Sequence, residues 1–395
     1  VSCPRGIFIP ILTVRVRGKN VTPLCAACAS TLDPYGPECT HSKDERALVG
    51  TWTSFELELA LDQGCTIDTV FQARHYTDWV EYSKNEDGSV NHGIMSKYQD
   101  TFVRKKTEAS GWPRDNMSDA EKDQYNEDYY SREGIQLDKA SIRKCPTARQ
   151  VAKLFANSLW GKLGERADRR RNAIFVSNLE YYKLITDTTK EILSIQVLTE
   201  DKVAVSYRPR EGHVEDIPTT SLAAAALTTA FARCTLYNIL TLISPERLLY
   251  TDTDSVIYVV RDGEQNPLAH LLGPFLGDLT DELPEGARCH EFVAHAPKSY
   301  AYRYTVNGAT KEVVKSKGFP LTGEAVRKIR FEQMKSFVDH LSVGEATARI
   351  PIRYEKFMID HDHHVRTSSI TKVYSGSFNK RKIVTGTYKT VPYGY

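Results

Sequence analysis

The sequence predicts a protein of the α+β class. The chain has 395 residues, of which 41% are hydrophobic and 26% are charged, ordinary values for a globular protein of two or three packed units. A helical pattern covers residues 147–164, and a strand–turn–strand pattern covers residues 247–260. This composition excludes extended disorder. Because no run approaches eighteen apolar residues, the sequence also predicts neither a membrane-spanning helix nor a membrane partner.

Residues 25–41 contain four candidate metal ligands. Cys25 and Cys28 form a C-x-x-C pair, and Cys39 and His41 follow after a loop rich in turn residues. Two short-spaced ligand pairs closed by such a loop suit a tetrahedral structural Zn²⁺ site, in which four protein ligands leave no position open for catalysis. The alternative is four unrelated buried or loop side chains.

The cysteines as a group favour a reducing environment. Eight cysteines in a chain of this length do not form a disulfide scaffold, and no secretory leader is visible. We therefore expect reduced thiols. Because the sequence starts at Val1 in the middle of a pattern, we also expect it to be a fragment of a longer protein.

Two regions before the long helical pattern also predict helices. Residues 50–67 predict a short helix with Thr53 or Ser54 as its cap. The polar stretch 77–127 predicts helices joined by exposed loops, with Ser118 as an N-cap.

Residues 147–164 predict a long helix with a distinctive polar face. Side chains at intervals of four share one side of a helix, and here they are Arg149, Lys153, Asn157 and Gly161. Two cations, an amide and a glycine beside Trp160 are typical of a surface that a flat, phosphate-bearing ligand approaches. The alternative is an amphipathic helix whose polar face meets water.

The second distinctive segment is RLLYTDTDSVIYVV, at residues 247–260. Apolar residues on both sides predict two strands joined by an acidic turn. Asp252 and Asp254 can direct both carboxylates at one hard cation, and without a cation they repel each other. Such pairs serve two-metal phosphoryl transfer, in which cations about 3.5–4 Å apart stabilise the attacking and leaving oxygens. The alternative is that both aspartates hydrogen-bond the turn backbone.

Three motifs, in the same order and at similar spacing, resemble those of family-B DNA polymerases. KLFANSLWG, at 153–161, resembles the fingers motif K-x-x-x-N-S-x-Y/W-G, and YTDTDS, at 250–255, resembles the palm motif Y-x-D-T-D-S. HAPKSYAY, at 295–302, resembles the downstream K-x-Y motif. The resemblance covers nearly the whole chain, including the final VPYGY, and is strongest with the protein-primed branch, most like the polymerases of Polinton/Maverick elements and related viruses.

The resemblance implies a role for each matching residue. Asp252 and Asp254 would be catalytic ligands of Mg²⁺. Lys153 would contact the incoming triphosphate, and Lys298 and Tyr300 would hold the primer strand. Other nucleotide-binding residues on the same helix would be Asn157, Trp160 and Gly161, with Arg149 as a further phosphate contact. The alternatives are a surface ion pair for Arg149 and a solvated hairpin position for Lys298.

The resemblance also implies a right-hand architecture, with a palm of antiparallel sheet and packed helices, helical fingers and a mixed thumb. The implied segments are 1–72 as a palm part with the zinc-like loop, 73–135 as an insertion between palm and fingers, 136–173 as fingers helices, 174–305 as palm, and 306–395 as thumb and C-terminal region. Further elements are expected to be a helix over 220–243, a hairpin over 300–317 and a helix near 323–341.

The chain departs from this family at one point that bears on catalysis. The D-x-x-S-L-Y-P motif, which supplies a further palm carboxylate, and the exonuclease motifs have no counterpart in the 395 residues. We therefore expect the C-terminal part of a DNA-directed DNA polymerase, inactive alone, whose parent adds dNTPs to a primer 3′-OH. The alternatives are a catalytically inactive nucleic-acid-binding remnant of a mobile-element polymerase, and a zinc-dependent interaction module.

The distribution of charge agrees with the implied partners, which are primer–template DNA, dNTPs and a terminal priming protein. Residues 291–395 carry 18 Lys and Arg against 9 Asp and Glu, which leaves 34 against 41 in the remainder of the chain. A basic last quarter suits contacts with a phosphate backbone, although a solvated charged surface is the alternative. We interpret the histidines of this region, His361, His363 and His364, as part of a solvated loop or sheet edge rather than as metal ligands.

Overall fold

The computed structural model describes residues 1–78, 83–84, 90–91, 93, 95–215, 217–359 and 364–395. Within these residues the fold is a mixture of helices and small antiparallel sheets. The loop interpretation of His361 and His363 falls outside the described residues. No helix in the described part of the chain is both long enough and apolar enough to cross a membrane.

The helices of the described chain are α1 (Ala26–Thr31), α2 (Lys43–Arg46), α3 (Ser54–Asp62), α4 (Ser96–Glu108), α5 (Asp119–Glu133), α6 (Pro146–Leu163), α7 (Asn178–Ile185), α8 (Leu222–Leu240), α9 (Glu324–Lys328) and α10 (Phe331–Ser342). The strands are β1 (Val14–Val16), β2 (Lys19–Val21), β3 (Ser83–Lys84), β4 (Val90–Asn91), β5 (Arg171–Phe175), β6 (Lys190–Thr199), β7 (Lys202–Pro209), β8 (Leu248–Asp252), β9 (Ser255–Tyr258), β10 (Arg288–Ala296), β11 (Ser299–Val306), β12 (Ala309–Lys315), β13 (Ile350–Ile359), β14 (Val365–Tyr374), β15 (Lys382–Ile383) and β16 (Thr390–Val391).

The strands pair with their sequence neighbours in nearly every case. Among the described residues the antiparallel pairs are β1–β2, β3–β4, β8–β9, β13–β14 and β15–β16, and the three-stranded sheets have the orders β5–β7–β6 and β10–β11–β12. Short connections explain this pattern, because antiparallel neighbours need only a tight turn between them. The implied palm, fingers and thumb stay a prediction.

Local capping signals set the ends of several helices. The Ser118 hydroxyl accepts a hydrogen bond from the Glu121 N–H at 3.3 Å, and the Glu121 carboxylate accepts one from the Ser118 N–H at 2.7 Å. This capping box starts α5, as the sequence predicts, and Gly134 ends the helix with a φ of +70°. Thr53 is the N-cap of α3, and its N–H and hydroxyl both donate hydrogen bonds to the Glu56 carboxylate at 3.1 Å. The helix expected near 323–341 is instead two helices, α9 and α10.

The chain divides into two compact units. The first contains Thr66–Leu163 and Ala223–Pro284 with Val1, and its core packs Phe275 against Tyr129, Ile135, Leu137 and Ile142. The second contains Ser2–Cys65, Gly164–Leu222 and Glu285–Tyr395. Its larger core packs Phe331, Met334 and Phe337 of α10 on Ala301, Ile352 and Tyr374, and a smaller core joins Val21, Ala29, Leu32 and Tyr393.

Cys3 and Cys65 form a disulfide in the second unit. The expectation of reduced thiols throughout is therefore wrong for this pair. The physical reason is the turn after α3: Gly64 has a φ of +84° and lies against Pro4, so the chain returns to the segment that contains Cys3. The other six cysteines are free thiols.

Candidate functional site

The four predicted zinc ligands lie around α1 and the loop before α2. Cys25 is the N-cap of α1, and its sulfur accepts a hydrogen bond from the N–H of Cys28, one turn later, at 3.4 Å. His41 directly precedes Ser42, which caps α2, and Cys39 lies two residues before His41. The loop between the two helices thus brings Cys39 and His41 close to Cys25 and Cys28.

The ligand atoms form a compact cluster. His41 Nδ1 lies 3.5, 3.3 and 3.6 Å from the sulfur atoms of Cys25, Cys28 and Cys39. A tetrahedral site with Zn–S of about 2.3 Å and Zn–N of about 2.0–2.1 Å has a sulfur–nitrogen edge of roughly 3.6 Å. All four ligand atoms lie within 4.8 Å of one another, and this is the group of close metal-ligating side chains found among the described residues. The cluster could hold a metal ion such as Zn²⁺.

The three thiols of the cluster differ in pKa. Burial raises the pKa of Cys25 and raises that of Cys28 to about 12. Burial acts in the same direction on Cys39, but hydrogen bonds with His41 and the two other thiols outweigh it and lower the pKa of Cys39 to about 6. A divalent cation at the centre would favour the thiolate form of all three, because metal binding displaces thiol protons.

A fifth residue, Arg46, contacts this cluster and is missed by the sequence patterns. It belongs to α2, is 8% exposed, and its Nη1 donates a hydrogen bond to the Cys39 sulfur at 3.0 Å. A single arginine seven residues after a cysteine carries no recognisable motif. Its role is visible only from the packing of α2 against the cysteine loop.

The polar face of α6 is held in place by α4. The Tyr98 hydroxyl and the Gln99 amide donate hydrogen bonds to the carbonyl oxygens of Phe155 and Ala156, at 3.0 and 3.1 Å. The Phe102 ring stacks on the Phe155 ring with a centroid distance of 4.8 Å. The predicted helix 147–164 is confirmed as α6, Pro146–Leu163.

The structure adds a third cation to this helix face. Burial lowers the pKa of Lys106 of α4, and the positive charges of Arg149 and Lys153 lower it further. Arg149 Nε also donates a hydrogen bond to the Ser110 hydroxyl at 3.1 Å, rather than to a carboxylate. Sequence periodicity within α6 could not identify Lys106, because this residue lies on another helix. The signal is the close approach of α4 to α6.

The remaining predicted residues of the α6 face are exposed. Lys153, Asn157 and Gly161 are open to solvent, and Trp160 is 43% exposed. Apart from its chain neighbours and the adjacent backbone of α6, no heavy atom of the described residues lies within 4 Å of the position that a Cβ on Gly161 would take. The face therefore has room for a flat group beside a cationic cluster, defined here as Lys106, Arg149 and Lys153.

Asp252 and Asp254 lie on the tight turn of the β8–β9 hairpin, which confirms the predicted strand–turn–strand. Asp252 pairs with Ser255, and between them Thr253 has a φ of +57°. The Asp254 N–H and the Ser255 hydroxyl donate hydrogen bonds to the Asp252 carbonyl oxygen, at 2.7 and 3.0 Å. Backbone contacts thus hold this turn. Asp254 is exposed and Asp252 is half-buried.

Lys298 and Tyr300 lie in the second unit, at the β10–β11 hairpin. Ala296 pairs with Ser299, and Lys298 occupies the exposed turn between them with a φ of +58°. The Tyr300 ring lies 6.5 Å from the stacked Tyr302 ring. The hairpin therefore presents a cation at its tip beside a row of aromatic rings.

In comparisons with known proteins, the sequence matches no family model, no curated protein and no solved structure. Function is therefore inferred from the residues of the chain and from their geometry.

Proposed function

We propose that the chain is part of a DNA-directed DNA polymerase of the protein-primed family-B type, a nucleotidyltransferase of DNA replication. One observation carries the proposal. The three motifs that resemble this family fall in order on α6, on the β8–β9 turn and on the β10–β11 turn, and each presents charged side chains at an exposed position. A terminal priming protein belongs to the proposal through the resemblance.

The cationic cluster would bind the triphosphate of a dNTP. Burial lowers the pKa of Lys106, and the positive charges of Arg149 and Lys153 lower it further, so the three cations repel one another when no anion is present. A triphosphate supplies closely spaced oxygens for all three, and charge-assisted hydrogen bonds to phosphate are strong. Asn157, Trp160 and Gly161 would then line the space for the sugar and base.

The two aspartates of the β8–β9 turn would bind a magnesium ion. Proteins bind Mg²⁺ through one or two carboxylates together with substrate phosphates, and both carboxylates stand on one turn. When bound, Mg²⁺ would neutralise charge on the phosphates. A two-metal site needs a further carboxylate, and among the described residues no cluster of three acidic ligands includes this turn.

In the proposed reaction, the primer 3′-oxygen bonds to the α-phosphorus of the dNTP while the bond to pyrophosphate breaks. The proton of the 3′-hydroxyl leaves to solvent. The chain would contribute the triphosphate contacts, two carboxylates and the primer contacts of Lys298 and Tyr300. Because the sequence supplies two of the palm carboxylates of the family, we expect no primer extension by these 395 residues alone.

The β13–β14 hairpin would contact the DNA backbone. Paired residues of an antiparallel hairpin share a face, and beyond the part that packs on the core one face pairs Lys356 with Ser368 and Met358 with Arg366. Two exposed cations on a single face suit a phosphate backbone. This hairpin lies within the basic segment 291–395.

We also propose that Cys25, Cys28, Cys39 and His41 bind one Zn²⁺ with a structural role. Four protein ligands complete a tetrahedron, which leaves no site for a substrate. Zinc would hold the loop between α1 and α2, because that loop connects the two ligand pairs.

Binding of dATP by the full chain in the presence of Mg²⁺ tests the polymerase proposal. We expect Lys153→Ala to weaken binding on the order of 10- to 100-fold, the loss of one hydrogen bond to a charged group. Lys162→Ala is the matched control, because nine residues place Lys162 on the opposite side of α6. Equal affinities for wild type and Lys153→Ala would contradict the proposal. Binding of DNA without any binding of dATP would favour the inactive remnant.

A further inference from the structure

Arg46 is a buried cation without a carboxylate partner among the described residues. Its three hydrogen-bond acceptors are the Cys39 sulfur at 3.0 Å, the Gly394 carbonyl at 3.1 Å and the Cys3 carbonyl at 3.2 Å. A buried guanidinium is costly unless a negative charge compensates it. Of the three acceptors, only the Cys39 sulfur can carry a full negative charge.

Metal binding would supply that charge. Zn²⁺ with three thiolates and a neutral imidazole has a formal charge of −1, and Arg46 adds +1 beside it. Residues that hydrogen-bond a metal ligand orient it and tune its affinity for the metal. Arg46 is such a residue for Cys39, because its Nη1 donates a hydrogen bond to the Cys39 sulfur.

The same Arg46 nitrogen binds the segment 391–395, which lies over the cysteine cluster. The Leu24 N–H donates a hydrogen bond to the Tyr393 carbonyl at 2.7 Å, and Tyr393 is 2% exposed in the smaller core of the second unit. Gly394 has a φ of +85°, and a Cβ on it would overlap the Cys25 Cβ. Segment 391–395 therefore touches both ligand pairs, Cys25 directly and Cys39 through Arg46.

We propose that Arg46 is a positioning residue for the metal centre, and that Zn²⁺ binding and docking of segment 391–395 stabilise each other. The proposal rests on the zinc site of the preceding section and not on polymerase activity. Thermodynamic linkage makes the coupling reciprocal: whatever displaces the segment weakens zinc binding, and removal of zinc loosens the segment.

Substitution of Arg46 tests whether this residue positions the metal centre. Zinc affinity of the full chain is measured by competition with a chelator, and the thiolate-to-metal absorption is recorded with Co²⁺ in place of zinc. We expect Arg46→Met to lower zinc affinity on the order of 10- to 100-fold and to shift the Co²⁺ absorption, since the Cys39 sulfur loses its donor. Arg46→Lys should restore part of the affinity. Unchanged affinity and an unchanged spectrum in Arg46→Met would overturn the proposal.

Substitution of Gly394 tests the coupling to segment 391–395 while all four ligands and Arg46 keep their identity. Gly394→Ala should weaken zinc binding, because the added methyl group displaces the segment from Cys25. Gly386→Ala is the matched control, since Gly386 has a similar φ of +78° but, among the described residues other than its chain neighbours, no heavy atom within 4 Å of its would-be Cβ. Equal zinc affinities for the two variants would contradict the coupling.

Hydrogen exchange of the wild-type chain gives a test that needs no variant. The Leu24 amide should exchange faster after chelation of zinc, because its acceptor lies on segment 391–395. Zinc binding with no effect on this exchange would overturn the coupling and leave the zinc site standing. A wild-type chain that binds no zinc would overturn both.

Discussion

His295 Nε2 lies 3.0 Å from the hydroxyl oxygen of Tyr374, and this contact joins β10 to β14 inside the larger core of the second unit. The His295 side chain is 3% exposed, and its ring packs edge-on against Phe337 with a centroid distance of 5.5 Å. Its Nδ1 has no hydrogen-bond partner in the described chain. Burial lowers the pKa of His295 to about 4, so the folded protein holds a neutral imidazole here.

We expect His295 to make the second unit less stable in mild acid. The unfolded chain takes up a proton at the ordinary histidine pKa of about 6.5, whereas the folded chain resists protonation until pH is near 4. The free energy of unfolding is therefore unaffected by protonation of this histidine above pH 6.5. It decreases as the pH falls towards 4, by up to about 3 kcal/mol. Urea unfolding at several pH values measures this. His295→Gln should show a shallower acid loss, and parallel curves would contradict the assignment.

We expect Phe337→Ala to destabilise the second unit strongly. Phe337 is fully buried, and its ring contacts both His295 and Tyr374. Loss of such a ring costs about 3–5 kcal/mol in the free energy of unfolding. Phe357→Ala is the control, because Phe357 is 78% exposed and its loss should change stability by less than about 0.5 kcal/mol. Similar unfolding midpoints for the two variants would contradict the placement of Phe337 in the larger core of the second unit.

We expect the purified chain to hold one zinc ion that Cys28→Ser removes. Serine keeps the size of the side chain but cannot supply a thiolate, so one of four ligands is lost. Metal analysis by mass spectrometry measures the zinc content. Cys145→Ser is the matched control, since Cys145 is a free thiol outside the cluster. Zinc retained equally by both variants would remove the site.

The local features of the fold could be predicted from the sequence. The helix 147–164 is observed as α6, because a proline start and helical periodicity are properties of neighbouring residues. The acidic turn at Asp252 and Asp254 could be read for the same reason, since apolar strands flank it directly. The four zinc ligands are near in sequence, so a short loop was enough to indicate that they meet.

Contacts between distant segments could not be predicted. Arg46 and Gly394 are 348 positions apart, and no pattern in either segment indicates the other. Lys106 joins the α6 face only because aromatic stacking sets α4 against α6. The Cys3–Cys65 disulfide likewise depends on a turn at Gly64. Each of these depends on packing between segments far apart in sequence.

We expect Lys106→Ala to weaken dATP binding even though Lys106 lies outside every motif. The loss should be on the order of 10- to 100-fold, because one charge-assisted contact with phosphate disappears. Lys105→Ala is the matched control, since the Lys105 ammonium instead lies 6.0 Å from the Phe102 ring centroid. Titration of both variants with dATP and Mg²⁺ measures the effect. An equal loss of dATP affinity in the two variants would contradict a phosphate contact by Lys106.

Template-dependent selection of a nucleotide tests the polymerase proposal most directly. The full chain is bound to primer–template DNA with a dideoxy-terminated primer, and the lifetime of the complex is measured with each dNTP and Mg²⁺. We predict that only the dNTP complementary to the template base prolongs the complex, and that Lys153→Ala abolishes this effect. Equal lifetimes with complementary and mismatched dNTPs would contradict the assignment of the chain to a DNA polymerase.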